Sequence, residues 1–291
     1  MLLQKMPILL MRLAKWLLIT PSILTLHITA TASILYKTED EAIHAYYTCT
    51  LSEVETGANN GDARSLYLLA QHQIADNADK SVSIHTLLGL ANHGISDAKY
   101  SLYLISKQSV TNNLSKQDGL QYLFEAAEDS YTPAQKELAI LYLYGNGIEH
   151  NDNKYHYWQD RAAQQGDSEA MISLARSYFA GKGTTRDNTK GFQWVLKALE
   201  TEKSRFNDWD MLAQLYEQGR GTPVDLVKAY MCYDLEGTAG IDEKARIAPR
   251  MTEAERAEGL RLSREWQEQN HSYTFPALGL EHQPDGSYRH R

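Results

Sequence analysis

The sequence is short of several things that mark common functional classes. It has two cysteines in 291 residues, which excludes a disulfide-dense secreted scaffold. Basic residues do not predominate: 29 Lys and Arg stand against 37 Asp and Glu, a net charge of −8. That balance argues against nucleic acid as the main partner. Phenylalanine is scarce at five residues, whereas tyrosine reaches 18. Tyrosine joins an apolar ring to a polar tip and suits half-buried grooves as well as cores. Hydrophobic residues at 43% and charged residues at 23% are enough for a packed core and rule out wholesale disorder. The length fits one or two domains or one array of repeats.

The N-terminus has the composition of an export signal. Lys5, Arg12 and Lys15 are the only charges in residues 1–36. An apolar stretch from Trp16 to Leu26 follows, then the small-x-small pattern Ala30-Thr31-Ala32. Positive region, apolar region and small-residue site stand in the order of a secretory signal cleaved near Ala32. The competing reading is an uncleaved inner-membrane anchor over residues 16–36. That stretch approaches the roughly 20 apolar residues of a membrane span, but Pro21 and His27 interrupt it. Without residues 1–32 the chain carries 26 basic and 37 acidic residues, which favours a basic protein partner over an acidic membrane surface. The expected location is the periplasm.

The remainder repeats. Leu138-Ala139, Leu174-Ala175 and Leu212-Ala213 recur in register, with Leu102 and Leu69 at earlier equivalents. Tyr142, Tyr178 and Tyr216 follow four residues after each Leu. Then come the structural turn glycines, in the pairs Gly145 and Gly147, Gly181 and Gly183, Gly219 and Gly221. The residues Asn151, Asp187 and Asp225 follow, and after them Lys154, Lys190 and Lys228. Trp158, Trp194 and Cys232 lie four further on. Leu, Ala and Tyr at i, i+1 and i+4 share one helix face. Gly-x-Gly ends that helix because glycine tolerates positive φ, and Asn or Asp caps a second helix. The Lys–Trp offset is expected to lay an aliphatic stem beside the indole. The unit is helix–turn–helix, which buries its apolar face only against stacked neighbours.

This pattern resembles the Sel-one-like repeat family, relatives of tetratricopeptide repeats. The match is clearest over residues 166–199. The resemblance implies an all-α, right-handed α/α superhelical solenoid. Its expected parts are an N-terminal helical half-repeat over 33–60, with 39–60 as a lone second helix, and five repeats at 61–93, 94–129, 130–165, 166–203 and 204–240. A capping helix falls within 241–269, opened by the capping box Thr252–Glu255. A tail at 270–291 carries the turn or hairpin signal Asp285-Gly286. The first two repeats lack Gly-x-Gly and are degenerate.

Chemistry-bearing motifs are weak. Gly181-Lys182-Gly183 imitates a phosphate loop but has Arg176 where the first glycine belongs. His150 and His156 lie near Asp152 without the cysteine or ligand count of a zinc site. Cys232 occupies the Trp slot of its repeat and reads as a small core residue, and Trp209 also reads as core. No catalytic residue, cofactor or metal is expected. Some members of the family pin each helix pair with a disulfide and are reported as penicillin-binding or weak β-lactamase proteins; those paired cysteines are missing here.

What is left is surface. The concave groove of such a solenoid is lined by first helices, and exposed aromatics and Arg there serve as anchors. Candidates off the core stripe are Tyr100, Tyr131, Tyr144, Arg176 and Gln214. The resemblance implies a non-catalytic protein-binding role. Its specific form is a periplasmic immunity protein that neutralises a type VI-secreted effector such as a phospholipase, a basic secreted toxin being the partner. An envelope scaffold and a cell-wall hydrolase are the alternatives.

Overall fold

The computed structural model describes residues 34–36, 39–75, 80–108, 114–201, 208–274, 280–282 and 288–290. The expected signal at 1–32, the Gly-x-Gly replacements at 76–77 and 109–111, and Asp285-Gly286 lie outside them. Fourteen α-helices account for nearly all regular structure among the described residues. The fold is an all-α array of helix–turn–helix repeats. It divides into two units, residues 1–138 and 139–291.

The first unit holds α1 (Glu39–Thr48), α2 (Leu51–Asn59), α3 (Ala63–Ala75), α4 (Lys80–Asn92), α5 (Ser96–Lys107), α6 (Lys116–Glu128) and the start of α7 (Thr132–Tyr144). Residues 39–60 are therefore two helices, not one. The break follows from a capping box. The Thr50 N–H donates to Glu53 Oε2 at 2.8 Å and the Glu53 N–H donates to Thr50 Oγ1 at 3.3 Å. The Thr50 amide is thus taken by a side chain, and a new helix begins. A second box, Ser115–Asp118, opens α6. Leu66, Leu87, Leu90, Ile95, Leu102 and their neighbours form one buried cluster.

The second unit continues α7 and adds α8 (Asp152–Gln164), α9 (Ser168–Ala180), α10 (Asn188–Leu199), α11 (Asp208–Gln218), α12 (Leu226–Leu235), α13 (Ile241–Ile247) and α14 (Glu253–Gln269). Its core gathers Leu174-Ala175 and Leu212-Ala213 with Val195, Ala229, Cys232 and Tyr233. The turns within the three repeats are built alike. The N–H groups of Asn151, Asp187 and Asp225 donate to the carbonyls of Tyr142, Tyr178 and Tyr216 at 3.0, 3.0 and 2.9 Å. Their side chains accept from the N–H of Lys154, Lys190 and Lys228 at 3.0, 2.9 and 3.0 Å.

The six turn glycines, Gly145, Gly147, Gly181, Gly183, Gly219 and Gly221, have φ between +66 and +83°. In two repeats the second glycine does more than adopt that angle. A Cβ on Gly183 would lie 1.9 Å from the Asp152 carbonyl oxygen, and one on Gly221 would lie 2.1 Å from that of Asn188. The turn of one repeat therefore rests on the first turn of the second helix in the repeat before it. Gly147 departs from the expectation that the three pairs are structurally equivalent. It is exposed, and no atom stands within 4 Å of the place a Cβ would take. Its φ of +80° is the one reason for glycine there, because this turn meets no backbone at that point.

The expected capping segment is three pieces. α13 passes into a 3-10 turn, Ala248–Arg250. Pro249 lacks the N–H needed to continue, and α14 starts afresh at the Thr252–Glu255 capping box. The face α14 buries is small and polar. Gly259, Ser263 and Gln267 recur every four residues, and Ser263 Oγ donates to Asp234 at 2.7 Å. In the tail, Leu280–His282 (β1) and Tyr288–His290 (β2) pair antiparallel.

Candidate protein-binding surface

The repeat register selects which residues of the first helices face outward. Two positions beyond the core Leu, the second unit exposes Ile140, Arg176 and Gln214; six beyond, it exposes Tyr144, Ala180 and Gln218. Ile140 and Tyr144 are one helical turn apart on α7 and are 43% and 68% exposed. They make an apolar patch that Arg176 and Gln214 follow in register. Gln214 Nε2 donates to Asp210 Oδ2 at 2.9 Å. The sequence singled out Tyr144, Arg176 and Gln214; it passed over Ile140, although the same spacing from Leu138 marks it.

Tyr100 and Tyr131 belong to the interior, not to such a surface. Tyr131 is 2% and Tyr100 8% exposed, and their rings meet edge to face at 5.6 Å. Tyr131 follows Ser130, whose φ of +68° places it at the register of the N-cap Asp167. A tyrosine at that corner turns inward, where ring burial outweighs the missing cap.

The lysines of the turns also differ from expectation. Lys154, Lys190 and Lys228 put Nζ 4.9, 5.6 and 5.3 Å from the ring centroids of Tyr142, Tyr178 and Tyr216. Each Lys therefore bridges its repeat's two helices over the tyrosine. The tryptophans take other cations, Arg161 on Trp158 and Lys197 on Trp194. Such contacts are worth about 0.5–1 kcal/mol at exposed sites.

A cleft of about 880 Å³ opens in the second unit, lined by Leu199, Trp209, Leu212, Tyr216, Met231 and Trp266 among others. Trp209 is core and wall at once, edge to face with Trp266 at 4.8 Å. A smaller cleft of about 510 Å³ lies between α4 and α6.

The remaining motif residues have structural partners. Lys182 donates its backbone N–H to Ser177 at 2.9 Å, and its Nζ lies 3.6 Å from Asp152, so the loop is a helix-ending turn. His150 Nδ1 contacts the Leu143 carbonyl at 2.9 Å. His156 stacks edge-on against Tyr178, and its burial lowers the imidazole pKa. Among the described residues, no group of three His, Cys, Asp or Glu is arranged to hold a metal. Cys49 and Cys232 are free thiols; burial pushes that of Cys232 far above the nucleophilic range.

Sequence reasoning missed one spacing. Ser96-Asp97-Ala98-Lys99 has the Ser-x-x-Lys form of acyl-transferring serines. Here Ser96 Oγ and Lys99 Nζ both donate to Asp129 Oδ2, at 3.2 and 2.8 Å. Lys99 also lies 3.4 Å from Glu125. Lys99 is thus engaged with two carboxylates, and Ser96 is fully buried. The constellation ties α5 to α6.

Residues 132–167, 168–200 and 211–235 match the family model of the Sel1 repeat. Those matches cover about a third of the chain, and over them the sequence is similar to Sel1 repeats. The crystal structure of a Sel1 repeat protein from Oxalobacter formigenes superposes with a TM-score of 0.56 over 78% of this chain and 99% of that one, at 18% identity. That likeness is one of fold. The chain is 32% identical over 129 residues to the chitin synthase regulator SKT5 of Saccharomyces cerevisiae, 42% of this chain and 18% of that protein. It is 31% identical over 96 residues to the ERAD-associated E3 ubiquitin-protein ligase component HRD3B of Arabidopsis thaliana, 32% of this chain and 15% of that protein. The chain thus spans less than a fifth of either relative.

Proposed function

We propose that this chain is an exported, non-catalytic adaptor that grips a protein through the first-helix face of its Sel1 repeats. The observation that carries this reading is the exposed stripe of Ile140, Arg176 and Gln214 at one register of successive first helices, with Tyr144 one turn beyond Ile140. Apolar side chains and an arginine presented by packed helices are the composition of interface anchors. In its specific form the chain is a periplasmic immunity protein whose partner is a basic, type VI-secreted toxin such as a phospholipase, blocked by occlusion. The leader-like N-terminus and the acidic chain behind it support that form. Among the described residues, no helix is long and apolar enough to cross a membrane.

A second reading, an envelope scaffold or regulator, draws on the relatives, one named a regulator and the other a component of a larger assembly. The two part in one experiment. The immobilised chain is exposed to extract of its own organism, and captured proteins are identified by mass spectrometry. One stoichiometric partner with a hydrolase active site, inhibited on titration, supports neutralisation; several assembly proteins support the scaffold. Tyr144→Ala and Arg176→Ala are each expected to weaken capture about tenfold or more. Undiminished capture by both variants moves the interface elsewhere.

A further inference from the structure

In the first unit, a fully buried carboxylate is held by backbone instead of by a basic side chain. Asp97, in the first turn of α5, is 0% exposed. Its Oδ2 accepts the Leu35 N–H at 2.7 Å and its Oδ1 accepts the Tyr36 N–H at 2.9 Å. The donors lie some sixty residues upstream and outside any helix, where a bend at Leu35 turns both N–H groups one way. Leu35 and Tyr36 are themselves 8% exposed and join the first unit's core. The Tyr36 ring lies 6.0 Å from that of Tyr67 and 5.8 Å from the Arg64 guanidinium, both on α3.

A buried carboxylate is costly unless it is hydrogen-bonded, and two charge-assisted bonds to successive amides are a strong remedy. The cradle accordingly selects a bent peptide that offers two adjacent N–H groups and two apolar side chains. We propose that Asp97, Arg64 and Tyr67 form a peptide-docking site filled by the chain's own residues 34–36, a strap that belongs to the folded body and not to the segment before it. Docking bears on both readings of the N-terminus. A cut after Ala32 leaves the strap whole with only Ser33 and its amino group ahead of it. An uncut N-terminus yields Ile34 to Tyr36 to the body, so an anchor would be confined to the 18 residues 16–33, near the lower end of the lengths that span a bilayer.

The test is amide hydrogen exchange on the full chain, read residue by residue by NMR. The Leu35 and Tyr36 amides are expected to exchange about 100-fold or more slowly than in a free peptide of the same sequence. Asp97→Ala should return both to the peptide rate while Ala175, in the second unit, stays protected. Should Asp97→Ala unfold the whole first unit, seen as loss of protection at Leu102, Tyr36→Gly gives the answer. It leaves the carboxylate in place and should speed Leu35 exchange about tenfold with Leu102 unchanged. Peptide-rate exchange of Leu35 and Tyr36 in the unsubstituted chain overturns the proposal. So does protection that both substitutions leave intact.

Discussion

Both units use the same repeat, yet they begin their first helices differently. In the second, Asp167 caps α9, accepting from the Ala170 N–H at 2.8 Å, and Gly166 before it has φ +94°. In the first, Asp62 does the same for α3, but α5 and α7 put Ile95 and Tyr131 at that corner, both buried. Ile95 offers no side-chain cap. An apolar corner adds to the core and forfeits a cap worth about 0.5–2 kcal/mol. The first unit answers with long-range polar contacts: Asp97 on the strap, Lys99 and Ser96 on Asp129, and Tyr103 Oη on Glu137 at 2.5 Å. The consensus residues of a repeat are thus one solution to the helix-end problem. Where they lapse, specific contacts between distant residues take over.

The sharpest contrast lies between glycines of similar φ. Gly94 in the first unit has φ +82° with open space where a Cβ would go, whereas Gly183 faces the Asp152 carbonyl oxygen at 1.9 Å. Gly94→Ala is expected to cost about 1–2 kcal/mol for the left-handed backbone alone. Gly183→Ala should cost about 4 kcal/mol or more, since the backbone it meets has no room to yield. Denaturant melts of the two variants decide this. Equal losses would show that close approach between repeats contributes nothing beyond φ.

Acid should act on the two units in opposite senses. Burial, opposed by the Leu35 and Tyr36 amides and by Arg64, pushes Asp97 up to about 6, with Tyr36 and Tyr67 the other titratable groups beside it. The folded first unit therefore holds a proton that the unfolded chain has already released. Its stability is full below the ordinary carboxylate value and falls as pH rises through 6, by up to about 3 kcal/mol. In the second unit, Glu217 accepts from Arg246 at 2.6 and 2.8 Å and from Tyr233 and Arg250. Those bonds, led by Arg246, lower its carboxyl to about 2. Its contribution is present above pH 4.5 and is lost as pH falls towards 2. Between about pH 7 and 4.5, amide protection should rise in α5 and hold steady in α11. A parallel response of both helices would refute the assignment.

Removing the Glu217 carboxylate outright gives a smaller change. Glu217 joins α11 to α12, α13 and the 3-10 turn, and its side chain is 10% exposed while Arg246 and Arg250 are about half exposed. Solvent at the arginines discounts the pairs. Glu217→Ala is expected to cost about 2 kcal/mol, with protection lost first in α13. A loss spread evenly over the second unit would mean that the cluster supports the whole unit and does not merely fasten its end.

What the sequence made legible were contacts between near neighbours. The Leu–Ala–Tyr stripe, the capping residues Asn151, Asp187 and Asp225, and the Thr252 box are all settled within a few residues of chain, so their spacing carries them. The carbonyl facing Gly183, the ring under Lys190, the buried edge between Tyr100 and Tyr131, and the strap on Asp97 depend on residues about 12 to more than 60 positions away. Composition at one position does not encode such partners. Gly147 shows the same limit from the other side, since its spacing equals that of Gly183 and Gly221 while its surroundings are open. The split at Thr50 was within reach, because Thr-x-x-Glu is as plain there as at Thr252. The outward stripe was half legible: register gave Tyr144, Arg176 and Gln214 the right face, but chemical appeal alone put Tyr100 and Tyr131 beside them.

The smallest test turns on Ser130, which stands where Gly61, Gly94 and Gly166 stand in other repeats. It takes φ +68° against their +79 to +94°. A serine there bears left-handed strain of about 1–2 kcal/mol. Glycine would relieve that strain but would free the unfolded chain by about 0.4–1 kcal/mol. The backbone terms alone favour Ser130→Gly by about 0.5 kcal/mol, a rise of about 1–2 °C in the melting temperature, set against whatever contact the Ser130 side chain makes. The sign matters more than the size. A gain would mean that the first unit left the repeat consensus by drift and kept the strain because nothing removed it. A loss would mean that the Ser130 side chain offsets its backbone cost through a contact of its own, and that this departure, like the apolar corner at Tyr131 beside it, is part of how the unit holds together.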